Sequence, residues 1–202
     1  MQLSLAIHYI KFKRNLKKEE TIFTIPESEY PYVTVQLPVF NELYVVERLI
    51  DAIAAFDYPA DKLEIQLLDD STDESFEIAR KKVDYYHQRG IDIKQIRRPE
   101  RKGFKAGALE YGLREAKGEY VAIFDADFVP FPDFLKKTIP HFLLDDKIGV
   151  VQAKWDHLNK DYSILTKMQA FALDMHFTIE QQGRNAAGYF INFNGTAGVW
   201  RK

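Results

Sequence analysis

Apolar and polar residues follow one another along this chain in blocks that predict strands and helices in turn. Four short blocks rich in β-branched and aromatic residues predict strands, at residues 32–37, 63–68, 91–96 and 120–124. Between these blocks, apolar residues recur every three or four positions, which is the spacing of one helix face. Strands and helices that alternate with short connections are typical of a mainly parallel sheet with helices on both faces. The predicted fold class is therefore α/β.

Several details of this pattern make sharper predictions. The first strand is expected to stop at Pro38, and Ser71 with Glu74 three residues later has the form of a capping box at a helix start. Residues 148–155 predict a further strand and residues 163–182 a long helix. The apolar stripe of that helix is interpreted as core, and it consists of Ile164, Met168, Phe171, Met175 and Ile179.

The N-terminal residues 1–30 are predicted to form a segment apart from the main domain. Apolar residues predominate from Leu3 to Ile10, and basic residues follow at positions 11, 13, 14, 17 and 18. A basic amphipathic segment is typical of a helix on an anionic membrane surface or beside a spanning helix outside this chain. An ordinary helix packed on the domain fits the pattern equally well. No apolar stretch in the sequence is long enough to cross a bilayer as a helix.

Composition excludes some classes of function. The formal net charge is −2 over 202 residues, which argues against a nucleic-acid binder that works through a positive field. A hydrophobic content of 46% is sufficient for one well-buried domain. The absence of cysteine excludes a disulfide framework and thiolate metal sites.

Two of the predicted strands end in pairs of aspartates. Asp69 and Asp70 follow the second strand, and Asp125 and Asp127 follow the fourth. Open α/β sheets bind ligands in the crevice beyond the carboxyl ends of their strands, where both pairs are expected to meet. Four carboxylates gathered there repel one another unless a cation offsets them, so we expect a divalent metal. For the first pair, the alternative is simple helix capping.

A basic loop lies between the third strand and the fourth helix. Residues 97–108 contain five cationic side chains, Arg97, Arg98, Arg101, Lys102 and Lys105. The free N–H groups of a helix start bind phosphate, and a lysine there adds a point charge. The loop has neither the P-loop nor the dinucleotide-binding form. We interpret it as one side of a diphosphate site whose other side is the metal, with an ordinary solvated loop as the alternative.

Five motifs, taken in order, resemble the family-2 glycosyltransferases and, among them, the cellulose-synthase-like glucomannan and mannan synthases. They lie at residues 38–42, 67–73, 105–109, 124–128 and 193–201. The resemblance implies a GT-A (nucleotide-diphospho-sugar transferase) fold, a UDP- or GDP-hexose donor, and Mg²⁺ or Mn²⁺. It also implies inverting transfer of the sugar to a hydroxyl group of a growing glycan.

The same resemblance assigns roles to individual residues. It implies that the nucleotide-sugar is bound by Phe40, Glu42, Asp69, Asp70, Lys105 and Asp125. It implies that the metal is bound by Asp125 and Asp127. It places Gly195, Thr196 and Trp200 beneath the sugar and the acceptor. A buried core position is the alternative for Trp200.

The sequence departs from the family pattern after Trp200. Family members carry further on a motif whose aspartate is the general base, and then a motif that lines the acceptor channel, whereas this chain stops at Lys202. We therefore expect residues 31–202 to be an incomplete GT-A domain without the catalytic base and with little transferase activity. The resemblance places the full-length protein at the cytoplasmic face of a membrane, through segments outside this chain.

Two other classes of function fit part of the pattern. Asp125 and Asp127 after an apolar strand also fit the haloacid-dehalogenase phosphatases, in which the first aspartate is a nucleophile. In those enzymes the acidic metal pair follows the nucleophile, whereas Asp69 and Asp70 precede it here. A non-catalytic interaction module, the third reading, predicts neither activity nor nucleotide affinity.

Overall fold

A computed structural model of the chain describes residues 2–15 and 25–202. Two compact units make up the chain. One contains residues 22–153 and 195–202 and is called the sheet unit below. The other contains residues 1–21 and 154–194 and is called the helical unit.

The sheet unit is built on a six-stranded sheet. Its strands are β1 (Val33–Val39), β2 (Leu63–Asp69), β3 (Ile93–Ile96), β4 (Tyr120–Ile123), β5 (Val150–Gln152) and β6 (Gly198–Arg201). Their spatial order is β3-β2-β1-β4-β6-β5. The first four strands pair in parallel, whereas β6 is antiparallel to both β4 and β5. The prediction of a mainly parallel α/β sheet is confirmed.

The described residues form seven α-helices. They are α1 (Gln2–Asn15), α2 (Val46–Ala54), α3 (Ser75–His87), α4 (Phe104–Leu113), α5 (Phe134–Leu144), α6 (Ile164–Met175) and α7 (Gln182–Ala186). Helices α2 to α5 belong to the sheet unit, and every residue of β2 is buried. Because side chains alternate between the two faces of a strand, both faces of the sheet are covered there. The buried strand β2 therefore holds its carboxyl end, with Asp69 and Asp70, at a defined place in the sheet.

Strand β1 continues past Pro38, where the sequence predicted a stop. The carbonyl of Val39 accepts from Asp70 N–H on one side, and the carbonyl of Gln36 accepts from Phe124 N–H on the other. Alternate residues of a strand direct their backbone N–H and carbonyl groups to the same neighbouring strand. The backbone groups of Pro38 therefore point toward β4, as those of Gln36 do. Pairing of β1 with β4 ends at Gln36 and Ile123, so the missing N–H of Pro38 leaves no ladder bond unmade. Strands β3 and β5, in contrast, are shorter than predicted.

Helix α3 begins at Ser75, and the predicted capping box of Ser71 and Glu74 is wrong. Glu74 makes no capping hydrogen bond with its side chain. The Asp73 carboxylate takes that place and accepts from the Ser75 N–H at 3.1 Å. Ser71 is used elsewhere, because its Oγ accepts from the Asn41 N–H at 3.0 Å and so ties together the loops after β1 and β2.

The helical unit consists of α1, α6, α7 and a π-helical turn over His176–Gln181 that joins α6 to α7. Helix α6 begins with a capping box in which Ser163 and Thr166 exchange hydrogen bonds. The interpretation of its apolar stripe as core is wrong, since Met168 is 64% exposed and Phe171 is 67% exposed. The buried residue of α6 is Ala170, which lies on the opposite side of the helix from most of the stripe.

Helix α1 packs within the helical unit. Leu5 is buried, and a Cβ added at Gly183 would lie 2.6 Å from the Leu5 carbonyl oxygen, so α1 and α7 approach closely. Helix α1 thus belongs to one compact unit with residues 154–194. Lys17 and Lys18 of the basic run lie outside the described residues. None of the helices in the described residues combines the length and apolar character that a bilayer crossing requires.

Candidate functional site

A cavity of about 380 Å³ lies at the carboxyl edge of the sheet and is called the edge cavity below. Side chains that follow three neighbouring strands line it. Phe40 and Glu42 come after β1, Asp70 after β2, and Asp125 and Asp127 after β4. The basic loop and the start of α4 add Arg101 and Lys105. The two predicted acidic groups therefore meet at one edge, because parallel strands present their ends together.

Asp69 does not line this cavity, although the sequence placed it at the nucleotide. Its side chain is buried, and its two oxygens accept from the Ser71 N–H at 2.8 Å and from Gln95 Nε2 at 2.7 Å. Ser71 in turn holds Asn41, next to Phe40. The geometry makes Asp69 a positioning residue for the loops that carry the cavity walls.

Asp70 lies in the cavity wall and forms a two-pronged ion pair with Arg98. Arg98 donates from Nε to Oδ1 at 2.8 Å and from Nη2 to Oδ2 at 2.6 Å. The side chains are only 8% and 6% exposed, respectively. The hydrogen bond to Asp70 raises the pKa of Arg98 above its ordinary value. Arg98 also donates to the carbonyls of Lys102 and Phe104, so this pair holds the basic loop in one conformation.

Arg101 covers the aromatic wall of the cavity, which sequence reasoning missed. Its guanidinium lies 3.4 Å from the centre of the Phe40 ring and 5.0 Å from that of Phe104. Stacking of a guanidinium on an aromatic face is favourable, and the planar group presents its donors around the rim. The sequence signal was the run of five cations, which did not show which of them would face the cavity.

Lys105 and Asp125 form an ion pair inside the edge cavity. Lys105 Nζ donates to Asp125 Oδ1 and, at 2.8 Å, to the carbonyl oxygen of Gly195. Gly195 has a φ of 84°, which glycine adopts without strain, and this turn directs its carbonyl at Lys105. Thr196 Oγ1 accepts from the Asp125 N–H at 2.9 Å. Gly195 thus positions Lys105, and Thr196 positions Asp125.

Asp125 and Asp127 fit the donor set that Mg²⁺ or Mn²⁺ takes beside a phosphorylated ligand. Both face the edge cavity, and Asp127 is exposed there. In sites of this kind, one or two carboxylates suffice because the phosphate oxygens of the ligand supply further ligands. Within residues 2–15 and 25–202, no group of three acidic or histidine side chains is arranged to hold a metal ion by itself. These two carboxylates alone would therefore supply only part of the coordination shell of a divalent cation.

Trp200 lies in β6, opposite Val121 of β4 and Val150 of β5. Its side chain is 37% exposed, so it is not a buried core residue. Residues 197–199 separate it from Gly195 and Thr196, which bond to Lys105 and Asp125. Gly195 and Thr196 bond to Lys105 and Asp125, which line the edge cavity, but neither of them lines the cavity itself, and Trp200 does not line it either.

Comparison with known proteins adds independent observations. The family model of Glycosyl transferase family 2 matches residues 34–202. Glucomannan 4-beta-mannosyltransferase 1 of Oryza sativa subsp. japonica is 45% identical over 178 residues, which cover 86% of this chain and 34% of that protein. Glucomannan 4-beta-mannosyltransferase 7 of Arabidopsis thaliana is 41% identical over 212 residues, which cover 100% of this chain and 38% of that protein. The chain thus spans about a third of the length of these relatives.

A solved structure is also similar to this chain. It is the mannosyltransferase PcManGT from Pyrobaculum calidifontis, in complex with GDP-Man and Mn²⁺. The TM-score is 0.68 and the sequence identity is 28%, with 98% of this chain and 52% of that chain covered. The similarity therefore extends over both units of the structure.

Proposed function

This chain belongs to glycosyl transferase family 2, and we propose that its edge cavity binds a nucleotide-diphosphate sugar together with Mg²⁺ or Mn²⁺. The observation that carries the proposal is the meeting of three kinds of group in one cavity. They are the Phe40 ring, the cations Arg101 and Lys105, and the carboxylates Asp125 and Asp127. A planar base, an anionic diphosphate and a divalent cation are complementary to these groups in turn.

Each wall of the cavity has a role in this proposal. Phe40 and Glu42 contact the nucleoside, and Asp70 accepts from its base or ribose. A carboxylate has about four acceptor positions, so Asp70 keeps its bonds to Arg98 while it does so. Lys105 donates to the diphosphate. Asp125 and Asp127 hold the cation, which when bound stabilises the negative charge that develops on the departing nucleotide diphosphate.

We further propose that the donor is a GDP-hexose, with mannose as the sugar. The relatives compared above are named as mannosyltransferases. The Pyrobaculum calidifontis enzyme holds GDP-Man and Mn²⁺, and it is similar to nearly the whole of this chain. These comparisons support GDP-mannose ahead of the UDP-hexose that the sequence left open.

The acceptor half of the reaction is proposed on family grounds. Inverting transfer to a glycan hydroxyl would place the sugar and acceptor near Gly195, Thr196 and Trp200. The general base is proposed to lie outside residues 31–202, in line with the expectation of little transferase activity. Membrane attachment at the cytoplasmic face is likewise proposed for the full-length protein. Family membership sets aside the phosphatase alternative.

Calorimetric titration of the 202-residue chain with GDP and with UDP, each with and without Mn²⁺, tests the donor proposal. We expect binding that requires Mn²⁺ and favours GDP. Asp125→Asn should abolish the Mn²⁺ dependence, whereas Asp84→Asn, an exposed position on α3, serves as the matched control and should retain it. Equal nucleotide affinity with and without Mn²⁺ would contradict the proposal. No binding of either nucleotide would favour a non-catalytic interaction module.

A further inference from the structure

We propose that Lys105 is an internal counter-cation that competes with the divalent metal for Asp125 and moves to the donor's diphosphate when metal and donor bind together. The inference rests on the proposed function for the identity of the two ligands. It goes beyond that function because it predicts that the metal and the donor bind cooperatively. Its structural basis is that the same lysine contacts the carboxylate assigned to the metal.

The position of Lys105 is held from two sides. Its ammonium donates to Asp125 and, at 2.8 Å, to the Gly195 carbonyl. The Lys105 and Asp125 side chains are 39% and 37% exposed, so the contact can exchange without opening the core. A lysine is a compact charge on a flexible four-carbon stem, which suits it to change partners.

Asp125 stays in place when its partner leaves. Its N–H donates to Thr196 Oγ1, and β4 immediately before it is buried along its whole length. The backbone of Asp125 is therefore held in place without Lys105. The lysine can depart while the residue that carries the metal ligand stays at the same place in the cavity wall.

Charge decides which combination of ligands is favourable. A divalent cation on Asp125 repels the ammonium beside it, so the metal alone must displace Lys105 from its carboxylate. A diphosphate supplies new oxygens for that ammonium, and these replace the lost contact. The metal therefore frees Lys105 for the diphosphate, and the diphosphate replaces the contact that Lys105 loses to the metal. Each ligand thus favours the binding of the other. Binding linkage requires the mutual enhancement to be equal in both directions.

The test is the substitution Lys105→Met in the 202-residue chain, with Mn²⁺ affinity measured by the electron paramagnetic resonance signal of free Mn²⁺. For Mn²⁺ alone, we expect the variant to bind about two- to fivefold more tightly, the range that an exposed ion pair is worth. For GDP in the presence of Mn²⁺, we expect the variant to bind about tenfold more weakly, because a charge-assisted hydrogen bond is lost. The two effects have opposite signs, which general damage to the fold does not produce.

Two matched variants complete the design. Lys105→Arg retains the charge and should leave the affinity for Mn²⁺ alone low. Lys81→Met removes one exposed lysine from α3 and should change neither affinity. An affinity for Mn²⁺ alone that is unchanged or lower in Lys105→Met would overturn the inference. Because that comparison needs no nucleotide, it decides the role of Lys105 even if GDP fails to bind and the proposed function falls.

Discussion

Neighbouring carboxylates in this chain differ in what surrounds them, and the surroundings decide what each one does. Asp69 is buried with both oxygens bonded to protein donors. Asp70, one residue later, points into the cavity wall with Arg98 as its partner. Asp125 is half-exposed and shares its lysine partner with a carbonyl group. The sequence showed which strands end in aspartate, but these partners come from distant segments and were not predictable from local pattern.

At this scale, Arg98→Met is expected to destabilise the chain by about 3 kcal/mol, because it leaves the nearly buried Asp70 carboxylate without its partner. Urea unfolding gives the free energy of unfolding. Arg80→Met is the matched control, since Arg80 and Glu77 form an exposed pair one helical turn apart. Its cost should be below about 0.5 kcal/mol. Equal losses of unfolding free energy in the two variants would show that the ion pair of Arg98 and Asp70 stabilises the fold no more than an exposed pair does.

Glu64 is a buried carboxylate of β2 with three donors around it. Thr34 Oγ1 donates to it at 2.7 Å and the Lys117 N–H at 2.9 Å, and Lys94 Nζ lies 2.9 Å away. Burial alone would raise the pKa of Glu64, but these donors outweigh it and the pKa lies below its ordinary value. The carboxylate therefore contributes stability above its unfolded pKa of about 4.3, and this contribution is lost as pH falls through the folded pKa.

We expect Glu64→Gln to lower the free energy of unfolding at pH 7 by on the order of 2 kcal/mol, because charged hydrogen bonds are lost. The variant should also lose less stability than the wild type as pH falls below about 4.3. Urea unfolding across this range measures both effects. Glu110→Gln, at an exposed position of α4, should follow the wild-type curve. If the free energy of unfolding falls equally below about pH 4.3 in the wild type and in Glu64→Gln, the stabilising role of the Glu64 carboxylate is refuted.

At the scale of elements, the first turn of α4 determines the shape of the basic loop. A Cβ at Gly107 would lie 2.0 Å from the Lys102 carbonyl oxygen and 2.5 Å from Arg98 Nη1. The loop backbone therefore packs against the helix at a distance that only glycine permits. The sequence motif at residues 105–109 places this glycine, but the reason for it is visible only in the packing.

Gly107→Ala is expected to cost about 1–3 kcal/mol of stability, because the loop must move away from the helix. The same movement should weaken nucleotide binding at the edge cavity. Gly149→Ala is the matched control, since nothing lies within 4 Å of its added methyl group. Thermal unfolding and the GDP titration measure the two effects. If Gly107→Ala has the stability and the GDP affinity of the wild type, the close approach of loop and helix has no consequence for the site.

Element by element, the sequence predicted what depends on local pattern and missed what depends on neighbours. Strands β1 to β4 and the helices between them follow from periodicity, because their buried faces repeat along the chain. The continuation of β1 through Pro38 depends on where β4 stops pairing. The start of α3 depends on Asp73, whose side chain bonds the N–H of Ser75. Such choices between competing partners cannot be made from spacing alone.

For the whole molecule, the apolar face of α6 is the clearest departure from expectation. Ile164, Met168 and Phe171 are exposed, although their spacing is that of a core face. Periodicity shows that a helix has an apolar side but does not show what covers it. Exposed apolar patches promote association between molecules.

We expect Phe171→Lys to reduce self-association of the 202-residue chain while changing its stability by less than about 0.5 kcal/mol, since this side chain is exposed. Light scattering over a range of protein concentrations and urea unfolding measure the two quantities. Ala170→Lys, at the buried neighbouring position, should cost at least about 1 kcal/mol. Similar destabilisation by both substitutions would mean that Phe171 is covered in solution.

The place of β6 in the sheet has a consequence for synthesis on the ribosome. Strand β6 is the last described strand in the chain, yet it lies between β4 and β5, and residues 154–194 are translated before it. A nascent chain therefore presents β4 as an open edge, with unpaired N–H and carbonyl groups, until residues 198–201 emerge. During that interval the growing chain is a template for pairing with other chains, so chaperone protection is needed most while the helical segment is being made.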